Sequence, residues 1–187
     1  MNTHKIIYDT LLCRYSKQLE AINLLREYRP YFELIPSLRR PADSLISIPL
    51  PVIKLASPRN HCNRLQLRCD VALLMCDPEW KIKTGQEIFV FIHRPDEDFS
   101  DLLMRWRQVE VLLEDEYYWL LPWRYHQTLN DRGDRHFPLF VTLSYTPERI
   151  ESALSGADLP YVHLDVSGIE MPSIDSMETA TIDRDQM

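Results

Sequence analysis

The most constraining feature of the sequence is an apolar stripe with helical spacing near the N-terminus. Its members recur at intervals of four and three residues: Tyr8, Leu12, Tyr15, Leu19 and Ile22. Side chains at this spacing share one face of an α-helix, so the stripe predicts an amphipathic helix over residues 3–29 that packs on a core. We expect Pro30 to end this helix. Because the stripe spans nearly three heptads, a seam for a partner helix is the alternative.

After this helix the chain divides into short apolar segments bounded by prolines, glycines and acidic residues. Their composition predicts strands within residues 47–55, 65–76, 86–93, 138–145 and 160–166. The first of these segments contains Pro49 and Pro51, which lack an amide hydrogen, so we expect it at the edge of a sheet. Thr146 followed by proline and glutamate predicts the start of a short C-terminal helix, which Gly156 ends.

Residues 107–125 fit two structures. A hairpin would turn at the acidic residues 114–116, between two apolar arms. A continuous helix over residues 101–121 is the alternative, because apolar residues also recur there at helical spacing. Ser100 is a candidate N-cap for a helix that begins in this region.

Taken in order, these elements predict an α+β fold. The N-terminal amphipathic helix would pack on a largely antiparallel sheet, with the short helix near the C-terminus. The length of 187 residues fits one domain, which we assign to residues 1–170. Residues 171–187 have lost apolar periodicity, and we expect them to form a flexible acidic tail.

The spacing of the glycines excludes several nucleotide and hydrolase motifs. The chain has only four glycines, and the two that lie closest are 12 residues apart. The dinucleotide-binding G-x-G-x-x-G motif, the P-loop and the G-x-S-x-G elbow each need two glycines closer together than that. The sequence therefore excludes a phosphate cradled by glycines, and we expect no cofactor.

Charge is distributed unevenly along the chain. Residues 1–68 carry 11 Lys/Arg and 5 Asp/Glu, a net charge of +6, whereas residues 69–187 carry 10 Lys/Arg and 23 Asp/Glu, a net charge of −13. Arginine outnumbers lysine 16 to 5, and arginine is enriched at protein interfaces. This pattern favours electrostatic docking on a protein partner or head-to-tail self-association.

The arginines of the N-terminal part are the candidate binding residues. We rank Arg39 and Arg40 first because they lie in a proline-flanked loop, where side chains are exposed and the backbone is stiff. Arg26 and Arg29 rank second, since near a helix end they can simply interact with the helix dipole. The same arginines are candidates for contacts with nucleic acid, although a protein of pI about 5.4 is a poor non-specific binder.

An aromatic cluster adds further candidate binding residues, namely Tyr117, Trp119 and Trp123. Such side chains can anchor a protein partner or stack on bases. The alternative is that they form the core face of a strand and its edges.

Two sets of side chains raise the question of a metal. Asp70, Glu79 and Lys81 read D-x8-E-x-K, which resembles the PD-(D/E)xK nuclease signature, in which two carboxylates hold a divalent metal and the lysine helps to activate water. The proline that precedes the aspartate in that signature is missing here, and the gap before E-x-K is longer.

The second set is a cysteine series, Cys62, Cys69 and Cys76, preceded by His61. Structural zinc sites use two close ligand pairs. These cysteines are seven residues apart, and Cys69 and Cys76 would face opposite sides of one strand. We therefore expect free thiols and no metal.

The sequence also limits the compartment and the class of function that we expect. No apolar run approaches the roughly 20 residues that cross a bilayer, and Asp9 and Arg14 interrupt the region that a signal peptide needs apolar, so we expect a cytoplasmic protein without membrane contact. Our leading hypothesis is a non-enzymatic protein-binding accessory subunit, adaptor or inhibitor of a larger assembly. The alternatives are a nucleic-acid-contacting subunit of a ribonucleoprotein complex and a metal-dependent nuclease.

Overall fold

A computed structural model describes residues 3–56, 64–79, 82–121 and 133–166. Its α-helices are α1 (Thr3–Tyr15), α2 (Gln18–Arg26), α3 (Arg29–Phe32), α4 (Phe99–Glu114) and α5 (Glu148–Gly156). Its strands are β1 (Leu45–Pro49), β2 (Val52–Leu55), β3 (Arg64–Gln66), β4 (Val71–Asp77), β5 (Ile82–Ile92), β6 (Tyr117–Trp119), β7 (Arg135–Leu143) and β8 (Tyr161–Leu164). A 3-10 turn, Pro41–Ser44, precedes β1.

The N-terminal helical segment is divided into three helices, so the prediction of one continuous helix was wrong. The hydroxyl of Ser16 donates to the carbonyl of Cys13 at 2.6 Å, which competes with helical bonding of the backbone. Lys17 then adopts an extended conformation before α2 begins. Pro30 does not end a helix but lies in the first turn of α3, a position where proline is tolerated.

The strands form two sheets. The larger has the order β1-β4-β5-β7-β8, and the smaller has the order β3-β2-β6. In the larger sheet β4 is antiparallel to β1 and to β5, whereas β7 is parallel to β5 and to β8. Both pairings of the smaller sheet are antiparallel, so antiparallel pairings outnumber parallel ones among the described strands. The predicted α+β class is confirmed.

The larger sheet separates two helical layers. The side chains of Leu73 and Val90 share an apolar cluster with α1, α2 and α3, whereas Leu74 and Phe89 share one with α4, α5 and the smaller sheet. Helix α4 lies in the connection from β5 to β7, and α5 lies in the connection from β7 to β8. Both connections join parallel strands and run in the same direction across the sheet. Because crossovers of this kind share one hand, both helices lie on the same face of the sheet.

Residues 107–125 do not form the predicted hairpin. Helix α4 continues to Glu114, and among residues 115–121, where this part of the described chain ends, only Tyr117–Trp119 is a strand, which pairs with β2. The alternative, a helix as far as residue 121, is correct only for its first two thirds. Asp98 is the N-cap and forms a capping box with Asp101, so the proposed cap at Ser100 was wrong.

Two of the predicted strands are each divided between the two sheets. Residues 47–55 supply the end of β1, which lies at an edge as predicted, and all of β2, which lies between β3 and β6. Pro51 precedes β2, so the central strand does not need its missing amide hydrogen. Residues 65–76 supply parts of β3 and β4, and the bend between them, residues 68–70, contains Asp70.

Two further predictions concern the C-terminal tail and helices that could cross a membrane. The acidic tail over residues 171–187 lies outside them, and its flexibility stays a prediction. Within the part that the structure describes, no helix is both long enough and apolar enough to cross a membrane.

A buried carboxylate connects the two sheets. Glu87 of β5 has no exposed surface and accepts from the hydroxyl of Tyr117 at 2.7 Å and from the indole nitrogen of Trp119 at 2.8 Å. Lys83 forms a salt bridge with it, and the His136 Nε2 atom lies 3.4 Å away. Tyr117 and Trp119 of β6 therefore point inwards, where their polar atoms donate to Glu87, whereas Tyr118 between them is exposed.

The pKa of Glu87 generates a prediction about stability and pH. Burial raises this pKa, but His136, Lys83 and Tyr117 together outweigh burial and hold it below the ordinary value. A lowered pKa in the folded state adds stability that is complete above the unfolded value of about 4.3 and is lost as the pH falls through the folded value. We expect the free energy of unfolding to fall more steeply below about pH 4.3 in the wild type than in Glu87→Gln. Urea unfolding at several pH values measures this, with exposed Glu114→Gln as control; equal slopes in all three proteins would contradict the account.

Candidate functional site

The candidate site is built around Asp70, a fully buried aspartate in the bend before β4. Its Oδ2 atom accepts from the guanidinium of Arg105 and from the backbone amide of Ile92, both at 2.6 Å. Its Oδ1 atom accepts from the hydroxyl of Tyr8 at 2.7 Å and from the guanidinium of Arg94 at 3.2 Å. The carboxylate thus joins α1, α4 and the end of β5.

Arg105 is the buried partner of this aspartate and projects from α4. It also donates to the backbone carbonyls of Arg68 at 3.2 Å and Ile92 at 3.1 Å. A salt bridge of 3.2 Å joins it to Glu97, and its guanidinium lies over the ring of Phe91. Arg105 is therefore engaged on all sides by groups of the fold.

Arg94 differs from Arg105 in exposure. Its side chain is 51% exposed, against 7% for Arg105. One edge of the guanidinium is held by Asp70, and the group lies over the ring of Tyr8 at 5.6 Å. Burial alone would lower the pKa of Arg94, but Asp70, Tyr8 and Glu97 together raise it. The buried aspartate therefore holds a permanently charged, half-exposed donor group in one orientation.

This donor group faces a cleft of about 190 Å³. The residues that line the cleft are His4, Lys5, Tyr8, Arg94, Pro95, Asp96 and Tyr145. They come from the start of α1, the segment after β5 and the segment after β7. The cleft thus lies outside the carboxyl ends of two parallel strands, where sheets with helices on both faces bind their ligands.

Four potential acid–base groups at the cleft are already engaged in the fold, namely His93, Tyr8, Tyr145 and Asp70. His93 bonds the carbonyl of Glu97 at 3.0 Å with one ring nitrogen and the hydroxyl of Thr146 at 3.1 Å with the other. Burial raises the pKa of Tyr8 and of Tyr145 to about 12, so both hydroxyls stay protonated at neutral pH. Asp70 already accepts four hydrogen bonds. With these four groups engaged, the cleft suits binding of an acidic group better than proton transfer through them.

The arginines chosen from the sequence lie elsewhere. Arg39 and Arg40 are exposed in the loop before the 3-10 turn, where Arg40 lies 3.8 Å from Glu79. Arg26 is exposed, bonds Asn23 at 3.2 Å and lies over the ring of Phe32. Arg29 pairs with Glu33 at 2.8 Å. The structure does not bring these arginines into the cleft.

The aromatic residues chosen from the sequence require a correction. Tyr117 and Trp119 are buried, since they donate to Glu87 and pack in the core between the sheets. They do not form an exposed platform, so the alternative of a core-facing strand holds for both. Trp123 lies outside the described residues.

The nuclease-like set is not brought together. Asp70 and Glu79 lie at opposite ends of β4, which for a strand of this length means about 20 Å or more, and Lys81 lies outside the described residues. Asp70 is engaged with arginines, whereas exposed Glu79 lies near Arg40.

The cysteines also differ from the prediction in their placement. Cys69 and Cys76 contact the same apolar cluster rather than opposite faces of a strand, because Cys69 lies in the bend before β4. Burial raises the pKa of both thiols, that of Cys76 to about 11. His61 and Cys62 lie outside the described residues, among which no group of three or more His, Cys, Asp or Glu side chains could hold a metal ion.

The sequence contained a signal for the buried cluster. Arg105 stands among Leu102, Trp106 and Val109 on the apolar face of α4, and a charge on such a face indicates a buried partner. Glu87 stands in register with Phe89 and Phe91 on one face of β5 for the same reason. Arg94 and Tyr8 carry no such local signal, because the fold alone brings them to Asp70.

Comparison with known proteins does not add to this picture. No family model, no curated protein and no solved structure matches the chain.

The two arginines that bind Asp70 should differ in their effect on stability. Removal of Arg105 leaves Asp70 and Glu97 buried without their shared cation, so Arg105→Gln should lower the free energy of unfolding by about 3 kcal/mol or more. Arg94 is half exposed, and Arg94→Gln should cost less than about 1 kcal/mol. Urea unfolding of both variants at neutral pH measures this. Equal losses would mean that Arg94 is a structural member of the cluster rather than a presented group.

Proposed function

We propose that this chain is a non-enzymatic, protein-binding accessory subunit that captures an acidic group of its partner in the cleft beside Asp70. The observation that carries the proposal is the orientation of Arg94 by a fully buried carboxylate, with one edge of its guanidinium towards solvent. A buried ion pair is weak support for stability, whereas fixing a charged donor before binding reduces the entropy lost in the complex.

The shape and composition of the cleft favour an acidic protein segment. Its volume accommodates a single side chain or a chain terminus, and Lys5 adds a second cation at its rim. The rings of Tyr8 and Tyr145 supply apolar walls for the carbon atoms beside a carboxylate. An aspartate or glutamate side chain, or a C-terminal carboxylate, fits this combination.

Nucleic acid is the competing partner, because phosphate also binds arginine and lysine. Two features favour protein. The cleft presents two cations at one point rather than a track that could follow a backbone. Asp96 lines the cleft, and the start of the neighbouring α4 carries the carboxylates of Asp98 and Asp101, which together repel a polyanion.

The compartment belongs to the same proposal. Cys13, Cys69 and Cys76 are free thiols in the described structure, and such thiols persist in a reducing compartment. We therefore place the proposed activity in the cytoplasm.

Capture from native lysate tests the proposal with a double variant. Arg94→Glu with Lys5→Glu replaces both cations of the cleft by carboxylates, so capture of a specific protein partner by the immobilised chain should fall at least about tenfold. Treatment of the lysate with nuclease should leave wild-type capture unchanged. The matched control is Arg107→Glu with Arg149→Glu, which reverses two exposed arginines of the α4 and α5 layer and should retain the partner.

Two results of the capture experiment would contradict the proposal. Loss of all partners on nuclease treatment would replace the protein partner by nucleic acid. Equal capture by the wild type and the cleft variant would reject the cleft as the binding site.

A further inference from the structure

Two exposed surfaces outside the cleft carry opposite charge around an apolar centre. The first, the basic loop, comprises residues 36–40. Its centre is Leu38, which is 63% exposed, and Arg39 and Arg40 follow it. The backbone of this loop is fixed, because Ser37 Oγ accepts from the amide of Arg40 at 3.3 Å and the carbonyl of Arg40 accepts from the hydroxyl of Ser44 at 3.0 Å. Arginine is enriched among the residues that anchor interfaces, and this loop presents two arginines beside an exposed apolar side chain.

The second surface, the α4 patch, comprises Met104, Gln108 and Val111 on the outer side of α4. Met104 and Val111 are 56% and 62% exposed, and their spacing of seven residues places them on one face of the helix. Gln108 lies between them and is partly buried. The exposed part of this patch is apolar.

Carboxylates surround the α4 patch. Asp101 and Glu114 lie one turn before Met104 and one turn after Val111, and both are exposed. Arg107 also lies on this side of the helix, but its guanidinium is paired with Glu110 at 2.7 Å. The patch therefore presents apolar side chains with excess negative charge, which complements the apolar and positive basic loop.

We infer that the chain associates with a second copy of itself, with the basic loop of one copy on the α4 patch of the next. The loop lies between α3 and the 3-10 turn. The flanking residues Tyr31, Ile35 and Ala42 pack in the apolar cluster on the face of the sheet that α1 and α2 cover. Helix α4 covers the other side. Because the two surfaces lie on opposite faces, one pair of copies cannot form both contacts at once, and the association is head-to-tail.

This inference is separate from the proposed function, since it uses neither Arg94 nor Lys5. The loop lies at the amino end of β5, where Arg40 approaches Glu79, and the cleft lies at its carboxyl end. A strand of the length of β5 separates them by about 30 Å. A bound partner in the cleft and a second copy on the loop are therefore compatible.

Complementary interface variants test the inference. Arg39→Glu with Arg40→Glu disables the loop and retains the α4 patch, whereas Met104→Lys with Val111→Lys disables the patch and retains the loop. Wild type should form concentration-dependent oligomers in sedimentation velocity, and each variant alone should weaken this association about tenfold or more. An equimolar mixture of the two variants should stop at a 1:1 dimer, because it contains one intact loop for each intact patch.

A control variant and the salt dependence show whether association uses the two surfaces. Leu19→Lys, at another exposed apolar residue, should associate like the wild type, and higher salt should weaken association. A monomeric wild type at all concentrations, association of either variant at wild-type strength, or a mixture that stays monomeric would each overturn the inference. Circular dichroism confirms that the variants, all at exposed positions, remain folded. The Arg94→Glu and Lys5→Glu variant should still oligomerise, so that failure of the cleft and failure of this contact are distinguished.

Discussion

The ion pair between Asp70 and Arg105 joins elements that are far apart in the sequence. Asp70 lies in the bend before β4, Arg105 lies in α4, and the pair is completed by the backbone of Ile92 and by Tyr8 of α1. Helices α1 and α4 lie on opposite faces of the sheet, so one carboxylate fixes both helical layers at the carboxyl end of β5. The position of Arg94, and with it the geometry of the cleft, depends on this contact.

A second buried carboxylate has the corresponding role nearer the other end of β5. Glu87 binds Lys83 on its own strand and the polar atoms of Tyr117 and Trp119 on the smaller sheet. The two buried acids therefore have different structural roles, since Glu87 connects the sheets and Asp70 connects the helical layers. Among the described residues Asp70 has an exposed partner and Glu87 has none, which is why we assign a binding role to the surroundings of Asp70 and a structural role to those of Glu87.

Sequence patterns predicted the elements better than the contacts between them. The α+β class, the strand around residues 86–93 and the short helix ending at Gly156 follow from local composition, and the structure contains them. The prediction of one continuous first helix was wrong because the side chain of Ser16 competes with the backbone for a hydrogen bond. The prediction that Tyr117 and Trp119 are exposed binding residues was wrong. An aromatic side chain with a hydrogen-bond donor suits an exposed surface as well as a position beside a buried carboxylate, so its residue type alone does not decide between the two. Arg94 could not be found at all, since its exposure and its partner are properties of the folded chain.

The central claim is that Asp70 presents Arg94 as the recognition group for a carboxylate. Titration of the protein with a hexaglutamate peptide, followed through the side-chain Nε–Hε resonances of its arginines by NMR, tests this claim without knowledge of the natural partner. We expect a saturable shift of the Arg94 resonance that is lost in Lys5→Glu, while the resonance of Arg107 stays in place. A shift spread evenly over the exposed arginines, with none specific to Arg94, would contradict it.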